Sequence, residues 1–305
     1  MHDNLTARQQ RERGFFDEYW RRFPEVARVN LDPIDGREHR PWNPYWHVFE
    51  TAKQRYAAGA RTLLDVGCGG GTNAAIFAFI GFDVTGFDIS PRCIETARQV
   101  AEAHHLSNRA HFSVQAAECL DYADESFDMV VGIDILHHVE IAPAVAECMR
   151  VLKPGGVALF REFVEVPAFD RVRNTALVRL FFPKEKCLDP VAHITEDERK
   201  LTDSDIALIR KLCPTMSEKR FLVFARLDQF LRRPWDRTAS TMEKFDYWLC
   251  RHFPRIKKLG GSVVVELTKV ATQCETAVIP EAFDSQDRLA TADAEEMQLA
   301  GSHAP

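Results

Sequence analysis

The chain has 305 residues, of which 46% are hydrophobic and 28% charged, the composition of an ordinary globular protein. The net charge of −6 comes from residues 270–305, which hold seven acidic residues and one arginine. The body that precedes them is electrically neutral. A neutral body argues against a nucleic-acid-binding protein, because such proteins usually carry a strong basic surplus.

The eight cysteines are scattered and form no Cys-x-x-Cys pair. The sequence therefore predicts neither a disulfide framework nor a metal site. No apolar run is long enough to cross a bilayer, and the first residues lack the basic-then-apolar pattern of a signal peptide. We expect a cytoplasmic protein that is not stably inserted in a membrane.

The N-terminal segment, residues 1–58, is predicted to form helices that pack on the main domain as a lid. Thr6 and Gln9 have the spacing of a capping box, and a helix with an aromatic face follows them. The stretch 41–47 is dense in prolines and aromatic residues and is predicted to be a loop before a second helix over 48–58. Because aromatic side chains are common around ligands, four of its residues are predicted to contact the substrate: Trp42, Tyr45, Trp46 and His47.

From residue 61 the chain alternates strands and helices, which is typical of a parallel sheet covered on both faces. The predicted strands cover residues 61–67, 82–88, 111–114, 127–133, 157–163, 219–227 and 261–268. The predicted helices cover 72–80, a segment opening at Ser90-Pro91, 141–150 and about 201–212. The sequence therefore predicts an α/β fold.

The stretch Leu63–Thr72 organises this region. Apolar residues and an aspartate lead into the glycine run 67–71, which predicts a buried strand, a tight turn and a helix start. Asp88 ends the second predicted strand, where an acid can accept hydrogen bonds from ribose hydroxyls. The same spacing suits a nicotinamide-dependent dehydrogenase, but Thr72 stands where the dinucleotide fingerprint has its third glycine.

Five motifs in order decide between these interpretations: the glycine run, 86–90, 126–131, 136–139 and 152–156. Together they resemble the class I S-adenosylmethionine-dependent methyltransferases, closely over 61–163 and more loosely over the final strand pair. The resemblance implies a Rossmann-like, seven-stranded methyltransferase sheet whose last strand runs antiparallel between strands five and six. N-terminal helices and helical insertions would form a lid.

The expected organisation follows from this resemblance and from the composition. It consists of N-terminal helices at 1–58, a cofactor-binding core at 59–163, an insertion at 164–200, the rest of the core at 201–270 with a helical insertion at 228–257, and a tail at 271–305. The tail is rich in small and acidic residues, and we expect it to be disordered.

The resemblance implies S-adenosyl-L-methionine as cofactor and S-adenosyl-L-homocysteine as product. Its methionine part is expected to lie over the glycine turn, which comprises Gly67, Cys68, Gly69 and Gly71. Asp65 is expected to help hold the cofactor's ammonium group.

The remaining cofactor contacts follow the next strands. Asp88 and the adjacent Ile89 are expected to hold the ribose, and the backbone around Asp134 and Ile135 the methionine end. Ala117 and Glu118 fall where the family holds adenine. Many relatives have an aspartate just before this pair, whereas this chain has Ala116.

Catalysis on a hydroxyl group needs a base, and histidine suits this role near neutral pH. His137 and His138 follow the fourth predicted strand, at the rim where the methyl group should point. Glu162, at the end of the fifth, is predicted to orient one of them. The alternative is that one histidine caps the following helix and the other packs against the cofactor pocket.

The substrate class is narrowed by motifs that the sequence lacks. Residues 132–136 replace the Asn/Asp-Pro-Pro-aromatic motif of enzymes that methylate DNA bases or glutamine. The sequence therefore predicts methylation of a small molecule, such as a natural product, a sugar or a lipid-like compound, with a hydroxyl oxygen as the favoured acceptor. The alternatives are nitrogen or carbon methylation, a non-catalytic cofactor-binding protein, and a nicotinamide-dependent oxidoreductase.

Basic residues recur in the added segments, at 171–186, 232–233 and 257–258. They are predicted to be solvated charges on the outer faces of added helices. Peripheral contact with a membrane surface is the alternative that the sequence leaves open.

Overall fold

A computed structural model describes residues 5–22, 29–31, 34, 40–167, 199–225 and 241–270. Most of the predicted insertion at 164–200, the first part of the one at 228–257 and the predicted tail lie outside the described residues. The domain boundaries expected from the sequence therefore stay predictions.

The core is one seven-stranded sheet with the order β3-β2-β1-β4-β5-β7-β6. Its first five strands run parallel, and β7 is antiparallel to both of its neighbours. The strands are β1 (Thr62–Val66), β2 (Asp83–Asp88), β3 (Ala110–Val114), β4 (Phe127–Ile133), β5 (Leu152–Phe163), β6 (Ser217–Phe221) and β7 (Ser262–Thr268). The predicted methyltransferase sheet is confirmed.

Seven α-helices lie within the described ranges. They are α1 (Ala7–Arg22), α2 (Pro44–Ala57), α3 (Thr72–Ile80), α4 (Pro91–Ala103), α5 (Ile141–Val151), α6 (Asp203–Leu212) and α7 (Thr241–His252). Two 3₁₀ turns cover Leu136–His138 and Pro254–Leu259.

The predicted helix caps are present. The Ser90 hydroxyl accepts a hydrogen bond from the Cys93 backbone N–H at the start of α4, and Thr202 opens α6 with a capping box. At α1, the backbone N–H of Thr6 donates to Gln9 Oε1 at 2.9 Å. Such caps supply acceptors to N–H groups that have no partner within the helix.

Two apolar clusters cover the two faces of the sheet. One packs β4 and β5 against α5 and α6, with Val130, Ala158 and Ile206 among its buried members. The other packs the sheet against α2 and α3 and includes Phe49 and Phe77. Because both faces are covered, the central strands β1 and β4 are buried along nearly their whole length, as expected of a buried parallel sheet.

The predicted start of the second helix was wrong. It begins at Pro44, because the Asn43 side chain accepts hydrogen bonds from the N–H groups of Tyr45 and Trp46 at 2.9 and 3.2 Å. Proline at the first helical position has the φ angle that a helix needs and no N–H to leave unpaired. The aromatic stretch predicted as a loop therefore forms the first helical turn.

Two strand bounds also differ from the prediction by more than two residues. β5 begins at Leu152, which pairs with Phe127 before the register shifts. β6 ends at Phe221, short of the predicted residue 227. The N–H groups of Phe224 and Ala225 donate to the buried Asp246 carboxylate at 2.7–3.0 Å, and so they are not available to a sheet ladder.

The glycine turn gives a direct test of close packing at the start of α3. Gly71 has φ +82°, and a Cβ there would lie 2.7 Å from the Ala97 Cα of α4. We expect Gly71→Ala to lower the free energy of unfolding by more than the roughly 1–2 kcal/mol that a left-handed alanine costs. Gly155→Ala is the matched control, because it has φ +79° and open space around it. Urea unfolding of both variants measures the difference, and equal losses would contradict the close packing.

Candidate functional site

The glycine turn lies at the carboxyl edge of the sheet, between β1 and α3. Gly67, Gly69 and Gly71 all have positive φ angles, which expose backbone N–H groups that a side chain would hinder. The Gly69 N–H donates to Asp88 Oδ2 at 3.0 Å, and the Ser90 N–H donates to Asp88 Oδ1 at 2.9 Å. The carboxylate that ends β2 is thus fixed beneath the turn by backbone donors.

Asp65 is a second carboxyl group under the same turn, and it is buried. Burial, and then the charge of Asp88, raise the pKa of Asp65 to about 8, although the Ala74 N–H opposes the shift. Its Oδ2 is a buried atom without a hydrogen-bond partner among the described residues. A positively charged ligand group near this oxygen would compensate the unpaired acceptor and favour the ionised form. The site therefore fits a ligand that carries an ammonium group.

A cleft of about 810 Å³, a volume that includes its open mouth, lies against the glycine turn. Nine of the predicted site residues line it: Gly67, Gly69, Asp88, Ile89, Ala117, Glu118, Asp134, Ile135 and His138. Ala116, where many relatives have an aspartate, lines it as well.

Other predicted residues lie outside the lining. Asp65 and Cys68 are buried beside the turn, and Gly71 packs against α4. His137 and Glu162 lie behind the wall, and Trp42, Tyr45, Trp46 and His47 are also absent from it. The roles assigned to all of these residues stay predictions.

One wall of the cleft comes from α1, which was predicted to pack on the main domain as part of a lid, with none of its residues named as a site residue. Its contributing side chains are Gln9, Glu12, Phe16 and Trp20. Gln9 Nε2 donates to Glu118 Oε2 at 2.8 Å, next to the predicted adenine position. The Trp20 ring packs directly on the turn, where a Cβ on Gly70 would lie 2.4 Å from it. The aromatic face of α1 is visible in the sequence and could have indicated these contacts. The sequence does not show, however, which part of the protein that face covers.

His138 reaches the cleft and is held by α1. Its Nδ1 lies 3.1 Å from Glu12 Oε2, and both side chains are at least nine-tenths buried. The edge of the Phe16 ring contacts the imidazole, with 5.4 Å between ring centroids. A carboxylate at Nδ1 favours the tautomer with the proton on that nitrogen, which leaves Nε2 as a proton acceptor.

His137 has a different environment. Its Nδ1 lies 2.7 Å from Glu162 Oε2, and Glu162 Oε1 accepts hydrogen bonds from the N–H groups of Ile135 and Leu136 at 2.9 and 2.7 Å. Glu162 has no exposed surface. The pair therefore fixes the 3₁₀ turn after β4, which in turn places His138 in the cleft.

A buried polar cluster lies beside the cleft at the ends of β4 and β5. The Tyr45 hydroxyl donates to Asp134 Oδ2 at 3.0 Å, and Arg161 forms an ion pair with the other oxygen of that carboxylate. The Arg161 guanidinium is 1% exposed and lies between the rings of Tyr45 and Phe163, 4.2 and 3.9 Å from their centroids. Burial and Asp134 together raise the pKa of Tyr45 strongly.

Arg161 was missed by sequence reasoning, although an arginine inside an apolar strand was an available signal. Asp134, its partner, has a left-handed backbone with φ +57°. For a residue other than glycine this conformation is uncommon, and the surrounding contacts have to hold it. The ion pair thus helps to hold a cleft-lining residue in this left-handed conformation.

The other predicted substrate residues lie away from the cleft. Trp46 is 6% exposed and packs against Phe49 in the core. Burial, assisted by Lys219, lowers the pKa of His47 to about 4, so that its imidazole is neutral near pH 7. Trp42 contacts Tyr247 of α7, with 6.4 Å between ring centroids.

The fold and the glycine-turn cleft define a Rossmann-like cofactor-binding protein of the methyltransferase type. Residues 64–160 match the family described as methyltransferase domain. A geranyl diphosphate C-methyltransferase from Streptomyces coelicolor has a similar fold, with TM-score 0.50 and 14% identity over 88% of this chain and 100% of that one. The chain therefore contains a class I S-adenosylmethionine-dependent methyltransferase domain, and the family predicted from the five motifs is confirmed.

Curated relatives share this domain. A ubiquinone biosynthesis O-methyltransferase from Alkalilimnicola ehrlichii is 40% identical over 33% of this chain and 40% of its own length. A ubiquinone/menaquinone biosynthesis C-methyltransferase from Geotalea daltonii is 30% identical over 52% of this chain and 66% of its own. The chain thus spans between two fifths and two thirds of the length of these relatives.

Asp65 generates a prediction about stability. In the folded protein the Asp65 carboxyl group keeps its proton up to about pH 8. In the unfolded chain it releases the proton near pH 4. The carboxyl group therefore reduces stability as the pH rises from about 4 to about 8. We expect Asp65→Asn to raise the Tm by several degrees at pH 8, with a gain that shrinks towards pH 5, because 1 kcal/mol shifts Tm by about 2–4 °C in chains of this size.

Thermal melts from pH 5 to 8.5 measure this effect. Asp83→Asn, at the exposed end of β2, is the control and should leave the pH profile unchanged. A gain for Asp65→Asn that does not vary with pH would contradict the raised pKa.

Proposed function

We propose that the protein binds S-adenosyl-L-methionine in the glycine-turn cleft and transfers a methyl group to a hydroxyl oxygen of a small-molecule acceptor. The observation that carries this proposal is the juxtaposition of the turn and Asp88 with the Glu12–His138 pair across one cleft. The first two features suit the nucleoside and amino-acid parts of the cofactor, and the pair suits removal of a proton.

Binding of the cofactor is assigned to the residues that edge the turn. Each Asp88 oxygen accepts one backbone hydrogen bond, and a carboxylate oxygen has a further lone pair for a ribose hydroxyl. The unpaired Oδ2 of Asp65 suits the ammonium group, through water or directly. Ala117 and Glu118 form the adenine end, where Gln9 orients the Glu118 carboxylate.

The bound cofactor supplies an electrophilic methyl group on a sulfonium centre, and the chain supplies position and a base. In the proposed step, His138 Nε2 accepts the proton of the acceptor hydroxyl. Glu12 stabilises the imidazolium through its contact with Nδ1. General base catalysis of this kind contributes about 10²–10⁴-fold to a rate. His137 and Glu162 act as positioning residues, because their contacts fix the turn that carries His138.

The side chains of Tyr45, Asp134 and Arg161 are assigned to the acceptor side, while the backbone of Asp134 is assigned to the methionine end of the cofactor. Asp134 lines the cleft while Arg161 and Tyr45 hold its carboxylate from behind. Buried ion pairs are costly to form, and perturbed buried groups concentrate at functional sites. Holding the acceptor in line with the methyl group supplies a large part of the rate in such reactions.

Carbon methylation is the second candidate. It is favoured by the C-methyltransferase from Geotalea daltonii, whose alignment is longer than that of the O-methyltransferase, 163 against 104 residues. A carbon acceptor also loses a proton, and the same His138 would serve. Mass spectrometry of the product distinguishes the two, because an O-methyl ether and a C-methyl group fragment differently.

Cofactor identity is tested by calorimetric titration of the protein with S-adenosylhomocysteine and with NADH. We expect binding of the first alone, weakened at least about ten-fold by Asp88→Asn, since hydrogen bonds to a charged group contribute roughly 1.5–3 kcal/mol. Asp83→Asn lies on the same strand with an exposed side chain and should bind normally. Binding of NADH alone would refute the proposed cofactor.

The base is tested by turnover of labelled S-adenosylmethionine with extracts that contain the acceptor. We expect His138→Gln to lose about 10²–10⁴-fold in turnover. His111→Gln, on the exposed face of β3, is the control. Full turnover by His138→Gln with unchanged cofactor affinity would defeat this mechanism.

A further inference from the structure

The surface of α7 and the turn that follows it carries an aromatic ridge. The ridge consists of Phe245, Trp248 and Phe253, which are 49%, 50% and 52% exposed. Among the residues that the structure describes, these are the three most exposed large hydrophobic side chains. Single exposed apolar residues are ordinary, whereas a contiguous set marks an interaction site.

The ridge is continuous and its support is rigid. Trp248 stacks on Phe245 with 5.9 Å between ring centroids and contacts Phe253 at 6.4 Å. The opposite side of α7 is fixed by Asp246, whose buried carboxylate accepts the N–H groups of Phe224 and Ala225. The aromatic rings therefore point outwards because the polar side of the helix is anchored to the domain.

The charges around the ridge are of one sign. Five basic residues of the segment 241–259 are exposed: Lys244, Arg251, Arg255, Lys257 and Lys258. Its two acidic residues are not, because Glu243 is half-buried and Asp246 is buried. This side of the protein is thus complementary to a negatively charged surface, although residues 1–269 as a whole are neutral.

The ridge lies on the same edge of the sheet as the cleft. β6 runs parallel to β5 and ends at Phe221, and β7 starts at Ser262, which pairs with both Phe221 and Phe163. The segment between β6 and β7 therefore leaves and rejoins the sheet at its carboxyl edge. Through the contact of Tyr247 with Trp42, α7 also touches the chain just before α2, whose Tyr45 reaches Asp134.

We propose that this ridge docks the protein onto the surface of an anionic lipid bilayer. The rings of Phe245, Trp248 and Phe253 would enter the boundary between headgroups and acyl chains, and the flanking bases would contact lipid phosphates. No described helix is long and apolar enough to span a membrane, so the contact is peripheral. A two-fold dimer through the same face would oppose two sets of basic residues, which disfavours a second copy as the occupant.

This inference does not depend on the proposed reaction, and its test uses the full chain without cofactor or acceptor. The protein is floated with vesicles of phosphatidylcholine and with vesicles that contain about one-third phosphatidylglycerol, at about 0.15 M salt. We expect recovery with the anionic vesicles to exceed recovery with the neutral ones at least five-fold. Trp248→Ala/Phe253→Ala and Lys257→Gln/Lys258→Gln should each lose most of this binding.

Matched controls separate the ridge from general surface effects. Phe79→Ala removes another exposed ring, 39% exposed on α3, and Arg98→Gln/Lys211→Gln removes two exposed bases elsewhere. Both should float like the parental protein, and thermal melts check that every variant is folded. Recovery only in the soluble fraction, or equal losses in the control variants, would overturn the proposal. A dimer in light scattering that the ridge variants break, without flotation, would assign the ridge to a second copy and overturn it as well.

Discussion

The carboxyl edge of the sheet is organised around two carboxyl groups, the buried Asp65 and the half-buried Asp88, and the charge of Asp88 helps to raise the pKa of Asp65. Asp65 and Asp88 lie under the glycine turn, and the hydrogen bonds that stabilise them come from backbone N–H groups of Gly69, Ala74 and Ser90. Such donors are available only because the turn has left-handed glycines and opens a helix. Backbone dipoles offset part of the cost of the buried charge, and the rest is left for a cationic ligand to offset.

The same edge shows how two adjacent identical residues acquire different environments. The 3₁₀ turn after β4 directs His137 inwards to Glu162 and His138 outwards to Glu12. The rings remain in contact, with 4.2 Å between centroids, so the inner ring supports the outer one. One carboxylate comes from β5 and the other from α1, which links the sheet and the N-terminal helix through this pair of side chains.

The sequence was informative where the pattern is local. The bounds of α3 and β4 and the caps of α4 and α6 follow from glycine, proline and apolar periodicity, and all are present. The antiparallel β7, which the family resemblance implied, is present as well. The start of α2 was misjudged because the prolines around Asn43 resemble loop residues as much as a helix cap. Local chemistry alone does not distinguish these two uses of proline.

The contacts of α1 with the rest of the chain were not predictable from the sequence. Glu12 and His138 are 126 residues apart, and Gln9 and Glu118 are 109 apart. The ion pair of Arg161 was not predictable for the same reason. Its position in a buried strand was evident from the sequence, but Asp134, with which it pairs, follows another strand. Periodicity predicts which side of a strand is buried and does not predict which charged groups meet at the end of the sheet.

The large separation in sequence between α1 and the residues that it contacts has a consequence for folding. Arg8 binds the carbonyl of His137 across 129 residues, so the wall formed by α1 closes only after most of the sheet has assembled. Contacts with such long loops form late, because the entropy of closing the loop is lost before any contact compensates it. We therefore expect α1 to dock late, after the strands that its contacts join have paired. We expect a segment attached in this way to open locally at a lower free energy than the sheet, which would let the cleft exchange its contents while the core stays intact.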